Sequence, residues 1–155
     1  MRVPAMLAAA VLVLAACGDK KADDTAATGD TTGMAAPAPA AAPAATGSTH
    51  EVQMVQVGTE FKFLPADLTI KSGDVVVFKS VSGGLHNVQF DAVPEGAQAI
   101  LDAAIPNRQG PMSSELLDAG GSVTISFAGA PAGEYAISCL PHVAMGMKGK
   151  LTVTP

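Results

Sequence analysis

The stretch Cys139-Leu140-Pro141-His142-Val143-Ala144-Met145-Gly146-Met147 decides how the fold of this chain is interpreted. The 155 residues include two cysteines, and the other one, Cys17, belongs to an N-terminal segment of different character. Cys139 therefore has no obvious disulfide partner. It stands three residues before a histidine at the end of a predicted strand, and a second histidine, His86, lies upstream. This arrangement indicates metal chemistry rather than packing alone.

Two imidazoles, one thiolate and one thioether are the ligands typical of a copper electron-transfer site. The sulfur ligands favour Cu(I), whereas His86 and His142 also accommodate Cu(II). A structural zinc site would more often have four firm ligands, with more cysteines and no methionine. The ligand types therefore predict one copper ion per chain. No acid–base pair or open metal position indicates an enzyme.

The sequence around this stretch is typical of short strands separated by turns. Turn residues such as Gly83-Gly84 and Gly120-Gly121 separate runs of β-prone residues. Such spacing predicts an all-β sandwich of about seven or eight strands, with one short helix within Gly96 to Ala104. The predicted strands are Val52–Val57, Leu68–Ile70, Val75–Phe78, Asn87–Phe90, Ser122–Phe127, Glu134–Cys139 and Lys150–Val153.

The segment from about Val52 to Val153 resembles the cupredoxin, or type 1 (blue) copper, family, and is nearest to plastocyanin and pseudoazurin. The resemblance implies a Greek-key β-sandwich that carries single electrons. Besides the Cys-x-x-His-x-x-x-x-Met run, it rests on Phe63-Leu64-Pro65, Lys71-Ser72-Gly73-Asp74, His86-Asn87-Val88-Gln89-Phe90-Asp91 and Gly133-Glu134-Tyr135.

The resemblance implies that His86, Cys139, His142 and a methionine bind the copper. Met145 fits the amicyanin spacing and Met147 the plastocyanin and pseudoazurin spacing, and we predict Met147, which directly precedes Lys148 and the last strand. His86 is expected to be buried. His142 is expected to present an edge to solvent, where the family passes electrons.

Residues beside the ligands are expected to tune the centre and contact partners. The resemblance implies that Asn87 ties the two ligand loops together by hydrogen bonds. Pro141 has no N–H to offer the sulfur, which suggests that it tunes the reduction potential. An unchanged potential in Pro141→Ala would contradict this hypothesis. An apolar collar is expected to dock transient redox partners such as cytochromes, oxidases or reductases; it comprises Leu85, Leu140, Pro141, Val143, Ala144 and Met145.

The chain departs from plant plastocyanins in ways that place the photosynthetic partner surfaces in question. Ser138 stands where those proteins have an exposed tyrosine used in docking. Only Glu115 and Asp118 correspond to their acidic cluster. The segment from Ala97 to Pro111 is also longer than expected. His50, near the start of the domain, is interpreted as an ordinary surface residue.

The N-terminal residues predict export and a lipid anchor. Residues 1–16 have a positive start and an apolar stretch too short to span a bilayer. Leu14-Ala15-Ala16-Cys17 resembles a bacterial lipobox, which implies lipid on Cys17; an ordinary cleaved signal is the alternative. Residues 17–49 predict a disordered Ala/Pro/Thr-rich linker, and residues 50–155 the cupredoxin domain.

The charge of the chain limits the classes of partner. From His50 onward the chain has six Lys/Arg and ten Asp/Glu, and it has no basic stripe. Nucleic acid is therefore not expected as a partner. We predict a monomeric electron carrier that is lipid-anchored to a membrane, in the periplasm or at the cell surface. The alternatives are a copper-delivery protein using the same ligands and a copper-free cupredoxin-like interaction module.

Overall fold

The computed structural model describes residues 46–155. The predicted signal peptide, the predicted lipidation site Cys17 and the linker up to residue 45 lie outside the described residues. In the described part, eight strands form two four-stranded sheets.

The first sheet has the strand order β2-β1-β4-β6. β1 pairs with β2 in antiparallel and with β4 in parallel orientation, and β4 pairs with β6 in antiparallel orientation. Polar and apolar side chains alternate along β1, so that Val52 and Met54 face the core while Gln53 faces solvent. The strands of this sheet are β1 (Thr49–Val57), β2 (Glu60–Leu64), β4 (Val75–Ser80) and β6 (Ser122–Ser126).

The second sheet has the strand order β3-β8-β7-β5. β3 and β8 are parallel, whereas β7 is antiparallel to both of its neighbours. Tyr135 and Ile137 on β7 point inward and are almost fully buried, and Cys139 follows them in the same alternation. The strands are β3 (Asp67–Lys71), β5 (Gln89–Ala92), β7 (Gly133–Ser138) and β8 (Lys148–Thr154).

Aromatic rings fill the space between the two sheets. Phe127 and Tyr135 pack edge to face with ring centroids 5.8 Å apart, and Phe63 packs in the same way on Phe78 at 6.4 Å. The Tyr135 hydroxyl donates a hydrogen bond to the Pro131 carbonyl over 2.7 Å, which satisfies its buried polar atom. The all-β sandwich predicted from the sequence is confirmed.

Two helical segments complete the described part of the chain. The helix expected within Gly96 to Ala104 is confirmed as α1 (Ala97–Ala104), which buries Ala97 and Leu101 against the core. A short 3₁₀ helix (Leu140–Met145) follows β7 and contains His142. Across residues 46–155, neither helix has the length and apolar character needed to cross a membrane.

Several strand boundaries differ from the sequence prediction, and the differences at β2 and β5 affect the site. β2 was not among the predicted strands, because only Phe61 and Phe63 mark the alternation in this five-residue strand. The strand predicted at Asn87–Phe90 starts two residues later, at Gln89. His86 and Asn87 instead hydrogen-bond to the segment before β6, which frees them from the sheet to form part of the site.

Candidate metal centre

His86, Cys139 and His142 bring one sulfur and two nitrogen atoms together within 4.8 Å of one another. The Cys139 sulfur lies 3.5 Å from Nδ1 of His86 and 3.4 Å from Nδ1 of His142. Sulfur and nitrogen ligands held about 2.3 and 2.0 Å from one ion, at a near-tetrahedral angle, lie about 3.5 Å apart. The spacing therefore fits a single metal ion, and the soft sulfur with two imidazoles fits copper.

The backbone and the imidazole of His86 are both fixed by hydrogen bonds. Its backbone N–H and C=O pair with Leu117 over 3.0 and 2.7 Å, which anchors the residue between β4 and β5. Nε2 lies 2.8 Å from the Ser82 carbonyl, which can only accept a hydrogen bond. Nε2 therefore carries the proton, and Nδ1 presents its lone pair beside the Cys139 sulfur.

The Cys139 and His142 positions are set by a tight turn after β7. The His142 N–H donates to the Cys139 carbonyl over 3.0 Å, and the Met147 N–H donates to the His142 carbonyl over 3.2 Å. The Cys139 N–H in turn donates to the Met147 carbonyl over 3.2 Å. Gly146, with φ +85°, closes the turn in the left-handed region, where a side chain would be strained. These bonds hold Cys139, His142 and Met147 in one compact loop.

The two candidate methionines differ sharply in their exposure. Met147 is fully buried, whereas Met145 is 53% exposed at the end of the 3₁₀ helix. A thioether that contributes to a buried centre must itself be buried, so the structure favours Met147 as the fourth ligand. Met145 is exposed, as expected for a member of the predicted apolar collar.

Asn87 links the two ligand segments. Its Oδ1 accepts a hydrogen bond from the Leu140 N–H over 2.8 Å, and its Nδ2 donates to the Ser113 hydroxyl over 3.1 Å. The residue is 2% exposed, so both bonds are shielded from competing water. This is the linking position that the resemblance implied for Asn87.

The surroundings of Cys139 and His142 favour their neutral forms in the absence of metal. Burial raises the pKa of the Cys139 thiol, with backbone N–H groups of Asn87 and His142 acting in the opposite direction. Burial, followed by repulsion that a protonated His86 would exert, lowers the pKa of His142. Neutral imidazole is the metal-binding form of histidine, and an entering cation would displace the thiol proton.

Phe61 is a residue of the site that the sequence prediction missed. Its ring is stacked on His142, with centroids 3.8 Å apart and an angle of 12° between the planes. With Phe61 on one face of His142 and the other ligand ring tilted beside it at 4.7 Å, His142 is only 7% exposed. His142 therefore presents only a narrow edge to solvent, although it is the one of the four predicted ligands that is not fully buried, because β2 brings an aromatic ring over it.

The apolar collar predicted around His142 is present as exposed side chains. Pro141 is also exposed, at the start of the 3₁₀ helix, and offers no N–H there. The other large members are between 37% and 53% exposed; they are Leu85, Leu140, Val143 and Met145. Among residues 46–155, His86, Cys139 and His142 form the one cluster of three or more His, Cys, Asp or Glu side chains close enough to hold a metal.

Residues 50–154 match the family described as copper binding proteins, plastocyanin/azurin family. The chain is 39% identical over 93 residues to plastocyanin of Capsella bursa-pastoris, covering 59% of this chain and 86% of that protein. It is 40% identical over 93 residues to chloroplastic plastocyanin of Fritillaria agrestis, covering 59% of this chain. This chain spans about half, 51%, of the length of the Fritillaria protein.

The fold also resembles a solved plastocyanin. The structure of the oxidized form of plastocyanin from Dryopteris crassirhizoma has a TM-score of 0.51 and 30% sequence identity to this chain. The similarity covers 68% of this chain and all of the fern protein.

Proposed function

Because this chain belongs to the plastocyanin/azurin family of copper-binding proteins, we propose that it carries single electrons between other redox proteins. Its plastocyanin and azurin relatives are electron carriers and not enzymes, in agreement with the prediction that this chain is not an enzyme. The observation that supports the proposal is the convergence of one buried sulfur and two buried imidazole nitrogens within 4.8 Å. Copper held there would supply the one-electron Cu(II)/Cu(I) couple.

Under this proposal the four ligands have distinct tasks. His86, fixed through Ser82, and Cys139, fixed through the Met147 carbonyl, hold their donor atoms in place in both oxidation states. A site that need not rearrange changes oxidation state at little cost, which suits a carrier. Met147 supplies the weak fourth ligand from inside the fold.

Electrons would enter and leave through His142 and the surface beside it. His142 is the ligand nearest to solvent, with Phe61 stacked on its ring and the apolar collar around it. A small apolar patch allows contact that is brief and easily reversed, as electron exchange between two proteins requires. We propose that transient redox proteins such as cytochromes, oxidases or reductases dock here.

We propose in addition that the protein acts outside the cytoplasmic membrane, held by lipid on Cys17. The support comes from the sequence: a short apolar stretch after a positive start, then Leu-Ala-Ala-Cys. Membrane fractionation of cells grown with a clickable fatty acid tests this. The parent chain should be labelled and sediment with membranes, and Cys17→Ser should lose the label. An unlabelled parent would contradict the anchor.

The test of the copper site is a visible spectrum of the full-length chain carrying Cys17→Ser, after one equivalent of Cu(II) is added. An intense blue thiolate-to-copper band should appear, disappear with mild reductant and return on reoxidation. Cys139→Ser in the same background should abolish the band, whereas Cys17→Ser alone retains it and serves as the matched control.

Competition with a chelator, using the same copper-loaded chain, distinguishes an electron carrier from a copper-delivery protein. A carrier should retain its copper against a chelator through repeated oxidation and reduction. Rapid transfer of copper to the chelator would favour delivery. A colourless protein would overturn the electron-carrier proposal.

A further inference from the structure

A cavity of about 350 Å³ lies beside the metal centre, between residues 109–116 and the start of the 3₁₀ helix. We call it the side pocket. Asn87, Ser113 and Ser114, each less than 5% exposed, provide buried polar groups, and Leu116, Leu140 and Pro141 provide apolar surface. Leu140 and Pro141 also belong to the apolar collar, but no copper ligand lines the pocket, and the proposed electron transfer gives no role to Ser113, Ser114 or Leu116.

Among residues 46–155, no charged side chain lines the side pocket. Its other lining residues are Gln89, Gln109, Gly110 and Pro111, so no Asp, Glu, Lys, Arg or His contributes to it. A charged ligand would lose hydration there without gaining an ionic partner. The pocket therefore suits an uncharged ligand.

The polar lining offers a hydrogen bond to such a ligand. The Ser113 hydroxyl accepts a hydrogen bond from Asn87 over 3.1 Å. Among residues 46–155, the structure pairs the hydrogen of that hydroxyl with no acceptor. A ligand oxygen could accept it while the rest of the ligand contacts Leu116 and Leu140.

The loop that forms the pocket is held in place before any ligand binds. Ser113 forms bridges to Gln89 and to Gly110, and the Asp102 carboxylate accepts a hydrogen bond from the Met112 N–H over 2.6 Å. Arg108 contacts the same carboxylate at 2.9 Å. Because the wall is already ordered, a ligand would not bear the entropic cost of folding it.

We propose that the side pocket is a binding site for a small uncharged phenol, with its oxygen at Ser113 and Asn87 and its ring against Leu116 and Leu140. A cavity of about 150 Å³ is sufficient for benzene, so the side pocket has room for one substituted ring. Asn87 also accepts the hydrogen bond of the Leu140 N–H, next to Cys139. A bound phenol would thus contact the residue that ties the two ligand loops together.

The experiment is an amide NMR titration of the metal-free, full-length Cys17→Ser chain with 4-methylphenol. Saturable shifts are expected at the N–H groups of Ser113, Ser114 and Leu140. Toluene, which lacks the oxygen, should bind about fivefold more weakly, as the loss of one hydrogen bond predicts. The charged 4-hydroxybenzoate should bind more weakly than 4-methylphenol as well.

Two variants test the location of the site. Gly110 lines the pocket, and a side-chain carbon added there meets no atom within 4 Å, so Gly110→Leu adds bulk at the pocket wall without a clash and should weaken the shifts. Leu116→Ala should weaken binding about fivefold. Leu64→Ala, an exposed leucine outside the pocket, is the matched control and should bind as the parent does.

The absence of saturable shifts at Ser113 and Ser114, or undiminished binding in both Gly110→Leu and Leu116→Ala, would overturn the proposal. Because the titration uses the metal-free chain, its result does not depend on the copper test.

Discussion

Three of the four ligands depend on a neighbouring residue outside the Cys-x-x-His-x-x-x-x-Met run. Ser82 fixes the tautomer of His86, Asn87 holds the Leu140 N–H next to Cys139, and Phe61 covers His142. The ligand motif specifies which atoms can bind copper. The neighbours determine where those atoms lie and how easily they move.

Phe61 should slow the loss of copper by holding the His142 ring. Aromatic pairs are worth about 0.5–1.5 kcal/mol, so Phe61→Leu should speed copper release to a chelator about 2- to 10-fold. Phe61→Tyr keeps a ring in the stack and should release copper at nearly the parent rate. The rates are followed by the decay of the blue band. Equal rates in the Leu and Tyr variants would show that the stack does not hold His142.

The choice between the two methionines can be tested by a matched pair of variants. Met147→Leu removes a buried thioether at little change in volume, and should shift the reduction potential and alter the visible spectrum because the fourth ligand is lost. Met145→Leu makes the same chemical change at a 53% exposed position, and should alter neither. Voltammetry of the two copper-loaded variants provides the measurement. The opposite pattern would assign Met145 as the ligand.

The residues that could be predicted from the sequence are those whose chemistry is unusual by itself. An unpaired Cys139 three residues before His142 indicates a metal site. Phe61 could not be predicted as part of it, because a phenylalanine on a short alternating strand has the same appearance whether it packs on the core or on a ligand. Only the pairing of β2 with β1 brings Phe61 to His142, which lies far along the chain.

One carboxylate, that of Asp74, joins three parts of the fold. Asp74 precedes β4, and its oxygens accept hydrogen bonds from the Ser48 N–H before β1, over 2.7 Å, and from the Lys71 N–H of β3, over 2.9 Å. His50 on β1 lies 2.8 Å from the same side chain. The prediction of His50 as an ordinary surface residue was wrong in this respect, since its side chain is partly buried and hydrogen-bonded to Asp74.

This junction predicts a stability that depends on pH. The backbone hydrogen bond from Lys71, followed by that of His50, lowers the pKa of Asp74. A carboxyl with a lowered pKa in the folded state stabilises the fold above its unfolded pKa, about 3.9, and the stabilisation is lost as the pH falls through the lower folded value. Asp74→Asn should therefore be less stable than the parent at neutral pH and lose less stability below about pH 4.

Urea unfolding between pH 2.5 and 7 measures the difference. Asp67→Asn is a suitable control, because Asp67 is an exposed aspartate on β3. It should follow the parent more closely. Parallel stability curves for Asp74→Asn and the parent would show that the junction does not contribute.

The length of β1 separates the Asp74 junction from the metal centre. The strand starts at Thr49, opposite Val75 and next to Asp74, and ends near Ser82, which contacts His86. Nine residues at about 3.3 Å each extend for nearly 30 Å. The chain before β1 therefore joins the domain at the end far from the apolar collar. A carrier tethered through that chain would keep its docking face free.

For the whole molecule, copper binding should be coupled to the stability of both sheets. His86 belongs to the connection after β4, whereas Cys139, His142 and Met147 lie between β7 and β8. An unfolded chain does not bring these positions together, so copper binds the folded state preferentially. Free copper at 100 times the dissociation constant should stabilise the fold by about 2.7 kcal/mol. For a domain of this size that corresponds to an increase in Tm of roughly 10 °C or more.

Thermal unfolding of the full-length Cys17→Ser chain with and without Cu(I) measures this increase. Cys139→Ser in the same background removes the thiolate and should lose most of it. A similar increase in that variant would mean that copper binds elsewhere on the chain. Cu(I) is the appropriate probe, because it cannot oxidise the thiol, and the change in Tm then reports binding by the folded centre alone.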